Sequence, residues 1–240
     1  MALSTSGPLG RLHLITDTRP DRDPIAVVRA ALRAGLDTGS LPVIQLRVED
    51  TMTDRDAYDL AVRVGELCRE TGATWLVNDR LDVALAAGAH GVHIGDDDLP
   101  VAAARRVLAA IAAGPESGVV PGSDGAPGSG WVLGATAREP VAARAHVAAG
   151  ASYLGVGPAY ESPTKQGLPV PIGPAGVAAV AAAVEVPVIA IGGVTAERVA
   201  ELVAAGAYGV AVIGAVSSAA DPYAATLELL KALDSGRGRP

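Results

Sequence analysis

Short apolar runs alternate with longer alanine-rich stretches along the whole chain, and few folds are compatible with that pattern. The apolar runs have the length and residue types of buried β-strands, while the stretches between them have helical composition. Eight strands are predicted, over residues 11–16, 42–47, 74–77, 91–94, 131–134, 153–156, 188–190 and 209–213. Strands that alternate with helices in this way indicate repeated βα units and a parallel sheet.

The predicted helices carry start and stop residues at their ends. Pro24 and Pro140 suit first helical turns, and Gly72, Gly150 and Gly206 suit C-terminal stops. The clearest helices are predicted over residues 24–36, 54–71, 100–112, 140–149 and 195–205. Eight βα units in 240 residues fit one closed (β/α)8 barrel, or TIM barrel, which we predict as a single domain over residues 1–240.

Residues 114–130 interrupt the repeat because they are rich in Gly, Ser and Pro and too polar for a helix or a strand. We predict a flexible surface insertion there. A linker between domains is disfavoured, since it would leave predicted strands on both sides and neither half of the barrel closed.

The charge and composition narrow the range of partners. A net charge of −7 and an isoelectric point near 5.1 give no general attraction to nucleic acid or acidic membranes, so a phosphate ligand needs a local site. The N-terminus lacks a basic region followed by an apolar run, and proline or glycine interrupts the two long uncharged stretches, 166–184 and 202–220. We expect a cytoplasmic protein with small-molecule ligands and no nucleic-acid or membrane partner; its oligomeric state does not follow from the sequence.

Polar residues collect where the predicted strands end. In a parallel barrel the carboxyl ends of the strands form one rim, and the active site is built there. The polar residues at this rim are Asp17, Gln45, Arg47, Asn78, Asp79, His93, Asp98, Thr136, Arg138, Ser162, Thr164 and Lys165. The sequence therefore predicts a polar site at this end of the barrel.

Two glycine turns follow the seventh and eighth predicted strands: Ile191-Gly192-Gly193-Val194-Thr195 and Ile213-Gly214-Ala215. Backbone N–H groups in such turns bind phosphate, and the position after strands 7 and 8 is a recurrent phosphate site in barrels. The alternative is that the glycines serve only the geometry of a tight turn.

Charged residues at the rim suggest a metal site and a phosphate contact. Asp79 and Asp98 follow neighbouring strands and supply the oxygen ligands that Mg²⁺ prefers, although Asp98 alone could simply cap the next helix. Arg47 and Lys165 could neutralise a departing phosphate, or could form rim salt bridges. His93 either contacts an aromatic substrate or is a satisfied core residue. The other histidines have no clustering partners, and we interpret them as structural: His13, His90 and His146.

At these strand ends the chain resembles the thiamine-phosphate synthase family over nearly its whole length. The shared segments, in order, are Leu14-Ile15-Thr16-Asp17, Gln45-Leu46-Arg47, Val77-Asn78-Asp79-Arg80, Gly91-Val92-His93-Ile94-Gly95 with Asp98-Leu99-Pro100, Gly155-Val156-Gly157-Pro158 with Thr164-Lys165, and Ala190-Ile191-Gly192-Gly193-Val194. The resemblance implies a transferase that joins hydroxymethylpyrimidine diphosphate to a thiazole phosphate with the help of Mg²⁺, releasing pyrophosphate.

The resemblance also implies roles for individual residues. Asp79 and Asp98 would hold Mg²⁺, and Arg47 and Lys165 would act on the departing pyrophosphate. The residues implied to contact substrate are Gln45, Leu46, Arg47, Val48, Glu49, Asn78, His93, Thr136, Ser162, Pro163, Thr164, Lys165, Gly193, Ile213 and Gly214.

Glu49 is the main departure from the family pattern, which usually has Lys at this position. We hypothesise that Glu49 points away from the pocket or joins the metal ligands, so that Glu49→Lys leaves activity unchanged or raises it. Two alternative functions remain open: a thiazole tautomerase or another phosphate-substrate isomerase on the same barrel, and a phosphate-binding barrel without catalytic activity.

Overall fold

The computed structural model describes residues 9–112, 131–162, 167 and 169–236. Its eight strands are β1 (Leu12–Ile15), β2 (Val43–Leu46), β3 (Trp75–Asn78), β4 (Gly91–Ile94), β5 (Val132–Ala137), β6 (Tyr153–Val156), β7 (Val188–Ile191) and β8 (Gly209–Val212). The helices are α1 (Pro24–Thr38), α2 (Asp54–Thr71), α3 (Leu81–Ala87), α4 (Val101–Ala112), α5 (Pro140–Ala148), α6 (Gly173–Ala181), α7 (Ala196–Ala204), α8 (Gly214–Ser217) and α9 (Pro222–Ser235).

The strands form one closed parallel barrel in sequence order. Closure is made by β1 and β8, with Leu12 opposite Val210 and Leu14 opposite Val212. This confirms the predicted (β/α)8 barrel. The main boundary difference is at β5, which runs three residues beyond its predicted end, so Thr136 lies within the strand and not after it.

Two apolar layers hold the barrel together. Because successive residues of a strand face opposite sides, Leu12 and Leu14 pack outward against the helices, whereas Ile15 faces inward. The inner cluster is smaller and consists of Leu9, Ile15, Val43, Leu76, Tyr153, Ile189 and Ala211. It fills the part of the barrel that lies below the polar rim.

Local signals begin and end the helices, and Gly72 ends α2 as the sequence predicts. Asp23 and Thr53 accept hydrogen bonds from the first turns of α1 and α2. Gly39 and Gly72 end the same helices with φ of 71° and 78°, a conformation that glycine adopts without a Cβ clash. Caps of this kind set where each βα unit turns back to the sheet.

The predicted insertion at 114–130 lies outside the described residues, and the single-domain division of residues 1–240 stays a prediction. Within the described ranges, no helix combines the length and apolar character needed to cross a bilayer.

Candidate active site

A cavity of about 630 Å³ opens at the carboxyl ends of the strands, where the sequence places the site. Most of the predicted residues that the structure describes line it: Gln45, Arg47, Asn78, Asp79, His93, Thr136, Ser162, Gly193, Ile213 and Gly214. Three predicted residues, Pro163, Thr164 and Lys165, lie outside the described residues.

Leu46 and Val48 are predicted contacts whose side chains do not line the cavity. Both belong to the outer apolar layer, and Leu46 is completely buried there. They alternate with Gln45 and Arg47, so the strand periodicity directs them towards the helices. Motif membership alone does not distinguish the two faces.

Glu49 pairs with Arg47 at the edge of the cavity. Oε1 of Glu49 lies 3.0 Å from Nη1 of Arg47, and Glu49 is not among the residues that line the cavity. The backbone of Arg47 is also held, because its N–H donates to Oγ1 of Thr16 at 2.9 Å and its carbonyl accepts from the same hydroxyl at 2.8 Å. Glu49 is therefore held beside Arg47, and its predicted contact with a metal ion stays a prediction.

Asp79 and Asp98 converge on Gly95. Oδ1 of Asp79 and Oδ2 of Asp98 lie 3.7 Å and 2.9 Å from the point where a Cβ on Gly95 would stand. Oδ2 of Asp98 accepts from the N–H of Gly95 at 2.8 Å. This bond points back towards β4, whereas a helix cap would bond forward to α4.

The backbone of Asp79 is unusual, with a φ of 66°. A residue other than glycine costs about 1–2 kcal/mol in this region, and such residues concentrate at functional sites. The Asp79 N–H donates to the carbonyl of His93 at 2.8 Å, which fixes the carboxylate-bearing residue to the end of β4.

The cavity floor is polar. Gln45 Nε2 lies 2.7 Å from His13 Nδ1 and 3.1 Å from the Tyr153 hydroxyl. That hydroxyl lies 2.9 Å from Nδ1 of His93, whose Nε2 lies 3.1 Å from Oγ1 of Thr136. The interpretation of His13 as a residue without clustering partners is therefore wrong, because the closed barrel brings β1, β2 and β6 around it.

Two glycines make room for this floor. A Cβ on Gly134 would stand 2.3 Å from Cζ of Tyr153, and a Cβ on Gly155 would stand 2.9 Å from Cε1 of His93. Burial lowers the pKa of His93 to about 4 and holds the pKa of Tyr153 above its usual range. Both rings are consequently neutral near pH 7.

The turn after β7 presents the backbone of two glycines to the cavity. Gly192 and Gly193 have φ of 95° and 62°, and a Cβ on Gly193 would stand 2.3 Å from the carbonyl oxygen of Glu161. Arg198, from the first turn of α7, also lines the cavity and donates from Nη1 to the Gly193 carbonyl at 2.5 Å. The turn geometry by itself requires glycine, and the same turn also faces the cavity.

Sequence reasoning did not assign Tyr153 or Arg198 to the site, although both line the cavity. The two-residue alternation of β6 could have indicated Tyr153, since it shares its face with Gly155. Arg198 carries no such signal because its contribution depends on how α7 packs beside the turn.

Comparisons with known proteins show the family of this chain. The family model described as "Thiamine monophosphate synthase" matches residues 12–114 and 125–216. The chain belongs to the thiamine monophosphate synthase family. The thiamine-phosphate synthase of Salinispora arenicola is 60% identical over 228 residues, which cover 94% of this chain and 98% of that protein. That of Haloquadratum walsbyi is 39% identical, with 93% and 91% covered.

A solved structure of the same family has the same fold. Thiamine phosphate pyrophosphorylase from Pyrococcus furiosus superposes with a TM-score of 0.77 at 30% identity, covering 95% of this chain and 97% of that one. The predicted resemblance and the predicted enzyme class, a transferase of this family, are confirmed.

Proposed function

We propose that this protein joins 4-amino-2-methyl-5-hydroxymethylpyrimidine diphosphate to 4-methyl-5-(2-phosphooxyethyl)thiazole, giving thiamine phosphate and pyrophosphate. The observation that carries the proposal is that Asp79, a cation and a glycine turn line one cavity, with Asp98 close to Asp79 at Gly95. Asp79 and Arg47 lie on one side of it, and Gly193 lies on the other. Two phosphorylated substrates need two separate anion sites, and the arrangement supplies both.

The carboxylate pair fits Mg²⁺. Its two oxygens face the same space because Gly95 has no side chain to fill it. Among the described residues no third carboxylate, histidine or cysteine joins them. Mg²⁺ is commonly held by one or two carboxylates, with waters and substrate phosphates completing the octahedron. Asp79 and Asp98 would hold the ion, which would neutralise charge on the diphosphate.

Arg47 lines the cavity on the same side as Asp79 and would bind the diphosphate. One of its nitrogens is held by Glu49, and the side chain lines the cavity. Guanidinium groups bind phosphate oxygens strongly, and such contacts strengthen as charge develops on a leaving group. We propose the same role for Lys165.

The chemistry requires no nucleophile from the protein. An electron-rich aminopyrimidine stabilises a methylene cation as the C–O bond to the diphosphate breaks. The thiazole nitrogen then forms the new C–N bond. The remaining tasks are to position that nitrogen and to exclude water from the cation, and an enclosed barrel cavity suits both.

We assign the pyrimidine ring to the cavity floor and the phosphate groups of the two substrates to the rim. Gln45, His93 and Thr136 would contact the pyrimidine, and Asn78 would contact its diphosphate. The diphosphate would accept from the amide N–H of Asn78, whereas Oδ1 of Asn78, which is buried with no hydrogen-bond partner among the described residues, needs a donor elsewhere on the ligand. The thiazole phosphate would bind on the opposite side of the rim, at Ser162, Gly193, Ile213 and Gly214, with Pro163 and Thr164 as further contacts.

The test is to mix the purified protein with both substrates, with and without Mg²⁺, and to follow thiamine phosphate and pyrophosphate. Mg²⁺-dependent formation of both is expected. Asp79→Asn should lower kcat/KM about 100-fold or more at fixed Mg²⁺, and part of the loss should be recovered at higher Mg²⁺. Asp59→Asn, an exposed carboxylate on α2, is the matched control and should behave like the wild type.

Tight binding of thiazole phosphate without any product would contradict the proposal and favour an isomerase or a binding protein. The retained Asp79–Asp98 pair argues against both alternatives, because neither needs a site for a metal diphosphate. The cytoplasmic location remains part of this proposal.

A further inference from the structure

Five polar side chains form one continuous chain of hydrogen bonds across the cavity floor. It begins at the carbonyl of Gly10, which lies 3.1 Å from Nε2 of His13. The bonds then run through His13, Gln45, Tyr153, His93 and Thr136. The two ends differ, because the first is a backbone carbonyl and the last is a hydroxyl.

The carbonyl sets the direction of the whole chain. A carbonyl oxygen only accepts hydrogen bonds, so Nε2 of His13 must carry the proton. Burial lowers the pKa of His13 to about 3, and the ring therefore carries one proton and no charge near pH 7. Its Nδ1 must then be the acceptor.

The acceptor on His13 fixes the amide of Gln45. Nε2 of Gln45 donates one hydrogen to His13 Nδ1 and the other to the Tyr153 hydroxyl. Rotating the amide by 180° would place its oxygen against the Nδ1 lone pair, which is repulsive. Gln45 is 2% exposed and lines the cavity, and Nε2 makes both of the side-chain hydrogen bonds described for it.

The remaining bonds agree with that direction. The Tyr153 hydroxyl, having accepted from Gln45, donates to His93 Nδ1. His93 then carries its proton on Nε2 and donates to Thr136 Oγ1. No hydrogen bond of the chain has two donors or two acceptors facing each other, so a single proton arrangement is compatible with every bond in it.

We propose that Gly10 and His13 determine ligand specificity at the cavity floor by holding the Gln45 amide with its oxygen towards the cavity. The floor then presents a hydrogen-bond acceptor at Gln45 and selects a ligand with an N–H donor at that depth. His13 contacts no ligand in this arrangement and is a positioning residue. The choice of an aminopyrimidine as that ligand rests on the proposed function.

The tautomer of His13 is the first test, and it needs no ligand. ¹⁵N chemical shifts of the wild-type protein, assigned by comparison with His13→Asn, should show a protonated Nε2 and an unprotonated Nδ1. A protonated Nδ1 would reverse the amide of Gln45 and overturn the inference.

Ligand discrimination is the second test. Dissociation constants are measured by calorimetry for the aminopyrimidine diphosphate and for an analogue with hydrogen in place of the amino group. The wild type should prefer the amino compound about 10- to 100-fold, because the analogue leaves Oε1 unpaired. In His13→Leu the amide is free to rotate, and the preference should fall below about threefold.

His13→Asn is the matched variant, because its side-chain oxygen can replace Nδ1 as an acceptor, and it should keep an intermediate preference. If His13→Leu does not fold, His13→Asn alone decides the question. Equal loss of affinity for both compounds, with the wild-type preference retained, would show a merely structural role and overturn the inference.

Binding of thiazole phosphate at the opposite rim should not change in either variant. Product formation by the wild type tests the proposed function separately. If no product forms, the ligand assignment fails, whereas the tautomer measurement still decides the orientation of Gln45.

Discussion

Arg47 and Glu49 lie on the same side of the chain as it leaves β2, and together they set the charge at this edge of the cavity. Their side chains are 23% and 37% exposed, so the ion pair is partly screened by solvent. A partly exposed pair contributes on the order of 1 kcal/mol or less to stability. Its influence on an anionic ligand is therefore expected to exceed its influence on folding.

Replacing Glu49 should leave activity unchanged or raise it. Glu49→Lys removes an anion beside the proposed diphosphate site and releases a nitrogen of Arg47. We expect kcat/KM at or above the wild-type value in a steady-state assay of pyrophosphate release, with the free energy of unfolding changed by less than about 1 kcal/mol. Glu49→Gln is the control that removes the charge without adding one. A loss of about tenfold or more in both variants would mean that Arg47 depends on Glu49 for its position.

At the scale of elements, the loops after β6 and β7 support each other. The N–H groups of Ala159 and Tyr160 donate to the carbonyls of Ile191 and Gly192 at 2.7 Å and 3.0 Å. Tyr160 in turn packs under the guanidinium of Arg198, 4.3 Å from its ring centre. The proposed thiazole phosphate site is therefore formed where two loops are held together by backbone contacts.

Gly193→Ala is expected to damage both this junction and ligand binding. The new Cβ would meet the Glu161 carbonyl at 2.3 Å, and φ of 62° adds strain. Gly173→Ala is the matched control, because Gly173 has φ of 65° with nothing within 4 Å of a new Cβ. The control should cost about 1–2 kcal/mol of unfolding free energy, and Gly193→Ala should cost more.

Chemical denaturation measures the first effect and KM for thiazole phosphate the second. Gly193→Ala should raise that KM, and Gly173→Ala should not. If the two variants had equal free energies of unfolding and equal KM values, strain in φ, and not the contact between loops, would be the reason that the turn requires glycine.

At the scale of the whole molecule, the barrel interior contains a polar side chain at a depth where most of the surrounding side chains are apolar. His13 is completely buried, and the Ile15, Val43 and Ile189 side chains belong to the cluster around it. Such a group is tolerated because its hydrogen bonds are made within the protein. Its protonation is nevertheless linked to folding.

Stability should fall with acidification because His13 remains neutral in the folded state. Its pKa is about 3 when folded and about 6.5 when unfolded, so only the unfolded chain takes up the proton between these values. The contribution of neutral His13 to the free energy of unfolding is complete above about pH 6.5 and decreases by about 1.4 kcal/mol per pH unit below that pH.

Urea unfolding of the wild type and of His13→Asn between pH 7 and pH 5 measures this effect. The difference in unfolding free energy between the two proteins should shrink as the pH falls. A difference that stays constant over this range would show that His13 does not carry the pH dependence.

The sequence by itself determined the fold and the end of the barrel that bears the site. Alternation of strands and helices requires a parallel sheet, and parallel strands bring their carboxyl ends to one rim. Asp79 and Gly193 could therefore be assigned to the same site although 114 positions separate their numbers in the chain. This much depends on periodicity and chain order alone.

Only the tertiary structure decided which side chains meet. Barrel closure and side-chain direction determine three features of the site. They are the pairing of Arg47 with Glu49, the placement of His13 beneath Gln45, and the presence of Tyr153 and Arg198 in the cavity lining. β6 and α7 are far from β1 and β2 in the chain, whereas Arg47 and Glu49 are two residues apart and meet because of the direction of their side chains. A linear pattern records the face of each residue but not its partner, because partners are set by the register and tilt of the closed sheet.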